Sequence, residues 1–221
     1  MFVASARTFS SSQRDKELKN MFTGLIEKTG VLENITPDKE GSRLCIRMTE
    51  AWSDSDPVIL GESIAVNGVC LTVTATDQYS FHVDVLKETL DVTTLGGIAT
   101  GTTVNLERAM QANARFGGHM VSGHVDGVGS VDAITPLGRD HKLRIACSKT
   151  LLAGIVSKGS LAVDGISLTV AALDDTGVDI HVIPVTWTAT NVHKFSVHTQ
   201  VNLETDLLGK YVQQAVRLNK L

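Results

Sequence analysis

Apolar and polar positions alternate in short runs along most of this chain. Phe81-His82-Val83-Asp84-Val85 and Ile180-His181-Val182 each place an apolar side chain at every second residue, the period of a strand buried on one face. Ile64-Ala65-Val66 and Leu71-Thr72-Val73-Thr74 flank Asn67-Gly68, and an Asn-Gly pair between strand-forming runs predicts a tight hairpin. The tail follows another period. Leu208, Tyr211, Val212, Ala215, Val216 and Leu218 recur at helical spacing between Lys210, Gln213, Gln214 and Arg217, which predicts an amphipathic helix within 206–221. A helix this short is marginal alone in water, so its apolar stripe must dock, either on its own domain or on another copy of the chain.

The pattern is written twice. Val66-Asn67-Gly68-Val69-Cys70-Leu71-Thr72-Val73 returns as Val163-Asp164-Gly165-Ile166-Ser167-Leu168-Thr169-Val170, an offset of 164 − 67 = 97. The same offset carries Val104-Asn105-Leu106-Glu107 onto Val201-Asn202-Leu203-Glu204, and the stretch Gly61–Glu107 matches its second copy at 17 of 47 positions, where chance gives about three. Upstream the offset is 99, joining Met21-Phe22-Thr23-Gly24 to Met120-Val121-Ser122-Gly123. Two homologous β domains follow, 21–117 and 118–205, with the helix 206–221 outside the repeat. Short strands rich in Gly and Thr over about 97 residues predict a small closed barrel, which leaves no exposed edge. The link Arg108–Gly118 is expected to hold a turn of helix at Met110–Ala114.

Composition narrows the classes. With 221 residues, 43% hydrophobic and 20% charged, the chain is ordinary globular protein. The 20 Lys+Arg against 24 Asp+Glu leave a net charge of −4, without the basic excess that nucleic-acid binding uses. Three cysteines make no disulfide framework and point to a reducing compartment. No run approaches the roughly 18 apolar residues of a membrane span. Residues 1–20 hold Arg7, Arg14 and a cluster of serines before the first acid, Asp15. That bias suits an organelle transit peptide or an unstructured extension, so the expected location is the cytoplasm, or an organelle if 1–20 is a targeting segment.

Taken together, Met21-Phe22-Thr23-Gly24-Leu25-Ile26-Glu27, the Val66–Val73 motif, Lys87-Glu88-Thr89-Leu90, Gly117-Gly118-His119-Met120-Val121-Ser122-Gly123-His124 and Asp164–Val170 resemble the riboflavin synthase family of lumazine-binding double barrels. The resemblance spans Met21 to about Val212. It implies an all-β fold of two six-stranded Greek-key barrels in tandem plus a C-terminal helix joining three chains. It implies a transferase: two molecules of 6,7-dimethyl-8-ribityllumazine exchange a four-carbon unit, giving riboflavin and 5-amino-6-ribitylamino-pyrimidinedione, with no metal and no cofactor. The site would form between the first barrel of one subunit and the second barrel of its neighbour. The alternative is a related antenna protein that binds a lumazine or flavin without turning it over.

The copies are most informative where they differ: Cys70 meets Ser167, Asn67 meets Asp164, Leu25 meets His124 and Glu88 meets Val185. Transfer between two like molecules needs unlike roles, and thiol, hydroxyl and imidazole groups suit proton and electron-pair traffic near neutral pH. The resemblance makes Cys70, His124 and Ser167 the catalytic candidates. It places Ser63, Leu71 and Thr72 in the first pocket. The Gly24-Leu25-Ile26 backbone and a strand Asp84-Val85-Leu86-Lys87-Glu88-Thr89 would hold the ligand there, with Met21–Thr23 as a flexible cover. Gly123, Val125, Lys158, Asp164, Leu168 and Thr169 would serve the second pocket, with Ile183, Pro184, Val185, Thr186, Trp187 and Thr188 along its edge strand. Lys158 and Asp164 would position groups or bind the ribityl hydroxyls.

Each residue also has a plainer reading. A lone strand cysteine is usually a small buried hydrophobe, and Lys158 or Glu88 would ordinarily be a solvated charge. His119 and His124 lack further ligands at metal-site spacing and would face opposite ways on a strand. Glu107 and Glu204 read as structural acceptors for turn N–H groups. Val185, where a polar residue is common in the family, makes the second pocket's edge more apolar.

Overall fold

The computed structural model of the chain describes residues 21–53 and 55–218. The segment 1–20, and the targeting expectation with it, lies outside the described residues. The first repeat contributes β1 (Lys28–Pro37), β2 (Gly41–Met48), β3 (Ser63–Val66), β4 (Val69–Thr76), β5 (Ser80–Leu86), α1 (Lys87–Val92) and β6 (Thr103–Arg108). The second contributes β7 (Gly127–Leu137), β8 (Asp140–Ala146), α2 (Lys149–Leu152), β9 (Ser160–Val163), β10 (Ile166–Leu173), β11 (Gly177–Val182), α3 (Pro184–Ala189) and β12 (Gln200–Thr205), followed by α4 (Leu207–Leu218).

Each repeat closes into a six-stranded antiparallel barrel. The first runs β1-β2-β5-β4-β3-β6 and back to β1, and the second repeats that order with its own strands. Alternation sets the inside and the outside: Leu44, Ile46 and Met48 of β2 are buried, while Arg43 and Arg47, of the opposite parity, face out. Leu32, Ile46, Phe81, Val83 and Leu106 fill one core; Val131, Ile145, Leu161, Ile180 and Leu203 fill the other. Register shifts recur at matching places, Leu32/Asn34 and Val131/Ala133, then Val73/Ala75 and Val170/Ala172. Such bulges sharpen twist and let a short sheet curl closed.

The edge strands expected through Thr89 and Thr188 end earlier. After Leu86 and Ile183 the chain turns into the one-and-a-half-turn helices α1 and α3. Pro184 takes the first turn of α3, where a missing N–H costs nothing, and holds Ile183 extended just before it. In α1 the polar run Lys87-Glu88-Thr89 breaks the strand alternation, and Lys87 pairs with Asp91 one helical turn on. Thr93 and Thr190 close the two helices by donating their hydroxyls to the carbonyls of Thr89 and Thr186, at 2.7 and 2.8 Å. In the link, the expected turn of helix is a single hydrogen-bonded turn, Ala114 N to Gln111 O.

The barrels meet across a pseudo-twofold relation that pairs equivalent residues. Phe22 and Val121 form an antiparallel bridge, fully buried with Ala65 and Ala162. Gly68 and Gly165 pack backbone to backbone: a Cβ on either would fall within 2.8 Å of the other's amide nitrogen. Glycine is required there by contact and by positive φ. Around them, Asn105 Nδ2 donates to Asp164 O and Asn202 Nδ2 to Asn67 O. Asn105 N and Asn202 N donate to the side chains of Asn67 and Asp164, each at 2.8 Å.

Candidate functional site

The outward rows of β4 and β10 carry the residues in which the repeats differ. On β4, Cys70 and Thr72 point away from the core, with Ser63 opposite Thr72 on β3. On β10 the matching row is Ser167 and Thr169, with Ser160 opposite Thr169 on β9. Leu71 and Leu168 between them are core residues, as is Val85, so only their backbone can face a ligand.

Each row is completed by the other repeat. The amide of Cys70 donates to Gly123 O at 2.9 Å, and that of Ser167 donates to Gly24 O at 2.8 Å. A Cβ on Gly123 would collide with Cys70, and one on Gly24 would lie 2.6 Å from Ser167 Cβ. Downstream, Val125 packs on the first core and Ile26 on the second. Gly24 and Ile26 thus brace the second barrel and Gly123 and Val125 the first, whereas Leu25, between them, faces the cleft beside Ser63 and Thr72 of its own barrel. Met21–Thr23 is no flexible cover, since Phe22 is fully buried and Thr23 nearly so.

Two buried carboxylates hold these crossing segments. Glu107 accepts from Thr23 N at 2.7 Å and Gly24 N at 3.0 Å; Glu204 accepts from Ser122 N and Gly123 N at the same distances. Burial pushes the Glu107 carboxyl up to about 7 against those hydrogen bonds, and raises Glu204 likewise. Their oxygens are committed to backbone, as acceptors for turn amides.

In the first cup the Cys70 thiol is raised above its ordinary range, by burial first, with a Ser63 hydrogen bond opposing. Cys70 is therefore a hydrogen-bonding thiol at neutral pH and not a ready-made thiolate. His124, the second repeat's counterpart of Leu25 and not among the residues lining the first barrel's cleft, is exposed with Nδ1 3.1 Å from Ser122 Oγ. The irregular segment 122–126 carries it, so the strand geometry expected for His119 and His124 does not apply. Asp84 is locked by Arg43, with Nε to Oδ1 at 2.7 Å and Nη2 to Oδ2 at 3.0 Å. Leu86 and Glu88 stand exposed beyond it, while Thr89 offers its carbonyl to Thr93. A cleft of about 890 Å³ opens beside Ser63 and Thr72, walled by Leu25, Glu62, Arg108 and Met110.

In the second cup Ser167 Oγ lies 2.7 Å from His119 Nδ1. Lys158 reaches across β10 to Ala171 O at 3.0 Å. Ile183 and Val185 are exposed at the rim with Thr186 behind them. Thr188 Oγ1 turns back onto Pro184 O. Trp187 stacks on His141 with ring centroids 3.7 Å apart.

Asp164 stands apart from both cups. It is 3% exposed, with Oδ1 taken by Asn202 N and Oδ2 by Asn191 Nδ2, both at 2.8 Å. Its carboxylate is spent on the junction between barrels, where full burial pushes it up to about 7. An acid at that position, equivalent to Asn67, is a junction residue because the hairpin turn that carries it faces the other barrel and not the outward row.

Two histidines stand on or against the second barrel's outward rows that the sequence did not single out as site residues, His119 against Ser167 and His181 on β11. His119 has no counterpart inside the first copy, because 119 − 99 = 20 falls before its start. His181, on the outward row of β11, answers Asp84; its strand parity was the available signal. Among the described residues, no group of three or more His, Cys, Asp or Glu side chains could hold a metal ion. No helix among them is long and apolar enough to cross a membrane.

Paired barrels with matched cups define a duplicated ligand-binding protein whose two sites carry different side chains, and comparison with known proteins gives the class. The lumazine binding domain model matches twice, at residues 23–109 and 122–206. The riboflavin synthase of Actinobacillus pleuropneumoniae is 46% identical over 194 residues, covering 88% of this chain and 89% of that one. That of Bacillus subtilis (strain 168) is 43% identical over 192 residues, covering 87% and 88%. Among solved structures, LumP complexed with 6,7-dimethyl-8-(1'-D-ribityl) lumazine superposes with a TM-score of 0.72 at 26% identity, over 83% of this chain and 98% of that one. LumP complexed with riboflavin gives 0.75 at 25% identity with the same coverage. The chain is thus a double-barrel lumazine-binding protein. It belongs to the riboflavin synthase family of transferases.

Proposed function

We propose that this protein converts two molecules of 6,7-dimethyl-8-ribityllumazine into riboflavin and 5-amino-6-ribitylamino-pyrimidinedione by transfer of a four-carbon unit. The observation that carries this reading is the pairing of unlike groups at equivalent positions: Cys70 against Gly123 on one row, Ser167 against Gly24 and His119 on the other. A carrier could keep two equivalent cups, whereas a donor and an acceptor of the same compound must be treated differently. Related folds present them in related poses, and such positioning replaces an improbable encounter. The cleft of about 890 Å³ at the first cup suits a ligand of this size.

The two bound molecules would face each other between the first barrel of one subunit and the second barrel of its neighbour. Support comes from α4, whose Leu208, Tyr211, Val212, Val216 and Leu218 are exposed on a helix tied to its own barrel by Lys210 to Asp126 and Gln213 to Ala153 O. An apolar face left uncovered in this way fits burial against other copies, in a trimer. At the cups, His124 and Cys70 would handle proton transfer or adduct formation, with Ser167 assisting. Thr72, Thr169, Lys158 and the rims at 86–89 and 183–188 would bind pteridine edges and ribityl hydroxyls.

A second reading, a carrier that holds the ligand unchanged, is favoured by the likeness to LumP, solved with the lumazine and with riboflavin. Incubating the pure protein with 6,7-dimethyl-8-ribityllumazine alone separates the two. One riboflavin formed per two lumazines consumed, over many turnovers, is the expected result; tight binding without product would overturn the synthase reading in favour of the carrier.

A further inference from the structure

We propose that a second cavity, on the pseudo-twofold axis between the barrels, is a binding site for a nucleoside monophosphate: the unpaired Asn67 amide takes an acceptor on the base, Ile98 and Phe195 flank the ring, and Lys194 meets the phosphate. The cavity holds about 580 Å³, a size that takes small organic ligands. It shares no wall residue with the cleft beside Ser63 and Thr72, and the inference does not depend on the synthase reading.

Equivalent segments of the two repeats build this cavity. The 3₁₀ turns Thr94–Gly97 and Asn191–Lys194, with the chain leading from each into β6 or β12, supply opposite walls, and the hairpin turns at Asn67 and Asp164 supply the floor. At the offset of 97, Ile98 answers Phe195 and Gly97 answers Lys194. Ile98 and Phe195 are half-buried, each packed on the core of its own barrel. Two apolar side chains on opposite walls suit a flat ring between them. Gly97 has open space where a Cβ would stand, which keeps the mouth wide.

The floor is asymmetric, and the asymmetry leaves a donor unused. In the second repeat Asn191 fills the space beside Asp164, with Nδ2 2.8 Å from Asp164 Oδ2. The first repeat sets the shorter Thr94 at the equivalent place, beside Asn67. Asn67 is 4% exposed, and the orientation of its amide is settled because Oδ1 accepts from Asn105 N at 2.8 Å. Its Nδ2 therefore takes the part that Asp164 Oδ2 plays in the other repeat, but has no hydrogen-bond partner among the described residues. The Thr94 hydroxyl likewise has none there. Buried donors without partners are costly, and a carbonyl or ring nitrogen of a bound base supplies the acceptor. At the mouth, Lys194 is exposed and pairs with no carboxylate among the described residues. A phosphate held there meets the ammonium and stays clear of Asp164 at the floor.

The test is methyl NMR of the full-length protein titrated with GMP and with UMP, using guanosine and inorganic phosphate as controls. At least one nucleotide should shift the methyl signals of Thr94 and Ile98 saturably and leave those of Thr72 and Thr169, at the cups, in place. Thr94→Val keeps the side-chain shape and loses the hydroxyl, and Lys194→Glu reverses the charge at an exposed position. Each should weaken binding about tenfold. No saturable shift at Thr94 and Ile98 with either nucleotide would leave the cavity to water and overturn the proposal. Shifts confined to Thr72 and Thr169 would overturn it as well, by placing the nucleotide in the cups. Guanosine or inorganic phosphate binding as tightly as GMP, or Lys194→Glu binding like the parent, would refute the ligand class.

Discussion

The amide of Cys70 donates to the carbonyl of Gly123 at 2.9 Å, so the opening segment of the second repeat is fastened to a strand of the first. Ser167 and Gly24 make the reciprocal contact. Each outward row is therefore braced by the other repeat, while the cleft beside Ser63 and Thr72 is lined by residues of the first repeat and the link.

Replacing Gly123 should be far more damaging than replacing an unconstrained glycine. Gly123 has φ near +78° and no room for a Cβ beside Cys70, whereas Gly61 has φ near +80° with open space around it. Gly61→Ala should cost about 1 kcal/mol, and Gly123→Ala at least twice that, together with turnover. Thermal unfolding and a rate assay of both variants check this; equal losses would contradict it.

His124→Ala and Ser167→Ala should each lower turnover while lumazine binding at the first cup persists, because the cleft beside Ser63 and Thr72 is lined by neither residue. Fluorescence titration and a rate assay of each variant check this; turnover equal to the parent in both would remove the two residues from the mechanism.

Asp164 and Asn191 form a complementary pair that the first repeat writes as Asn67 and Thr94. Asn191 is oriented by accepting from Asn105 Nδ2, so its own Nδ2 must point at Asp164 Oδ2. Asp164→Asn would set two amide NH₂ groups against each other, costing about 1–3 kcal/mol. Adding Asn191→Thr should recover part of that. Denaturant midpoints of the single and double variants decide it.

Stability should fall as pH rises from about 4.5 towards 8. Glu107 and Asp164 titrate near 7 in the folded chain and Glu204 is also raised, while unfolded carboxyls titrate near 4. Between those values the folded state binds more protons, so the slope against pH is negative. The contribution is complete below the unfolded pKa and lost as pH climbs through the folded one, on the order of a few kcal/mol. Guanidinium unfolding at pH 5 and 8 should show the loss, with a smaller one in Glu107→Gln; a parent equally stable at both would refute the assignment.

Truncation after Thr205 removes α4 and its exposed apolar face. The expected product is a monomer that still binds lumazine and turns it over poorly, read by sedimentation and rate assay. A fully active monomer would eliminate the site shared between subunits.

The repeat was legible because homologous strands keep their alternation and their turn residues. An offset of 97 carries Cys70 onto Ser167 and Glu107 onto Glu204 without reference to any contact. The outward placement of Cys70, Thr72, Ser167 and Thr169 was equally legible from period two. The helices α1 and α3 were less so, because Lys87–Val92 and Pro184–Ala189 are too short to show a helical period. The pairing of His119 with Ser167 was not legible: a histidine outside the repeated stretch has no equivalent to compare, and Ser167 lies 48 residues away.

What the sequence determined by itself is local or internal: strands, hairpin turns, duplication, the helical tail and the identity of the groups that differ between copies. These follow from side-chain periodicity and turn chemistry, which act over a few residues. Which copy completes which cup was decided only by the tertiary structure. An internal repeat reports similarity and not adjacency, and two equivalent segments can each dock on their own barrel or on the other. Here burial of Phe22 against Val121, and the need of Thr23, Gly24, Ser122 and Gly123 amides for the carboxylates of Glu107 and Glu204, draw the segments across.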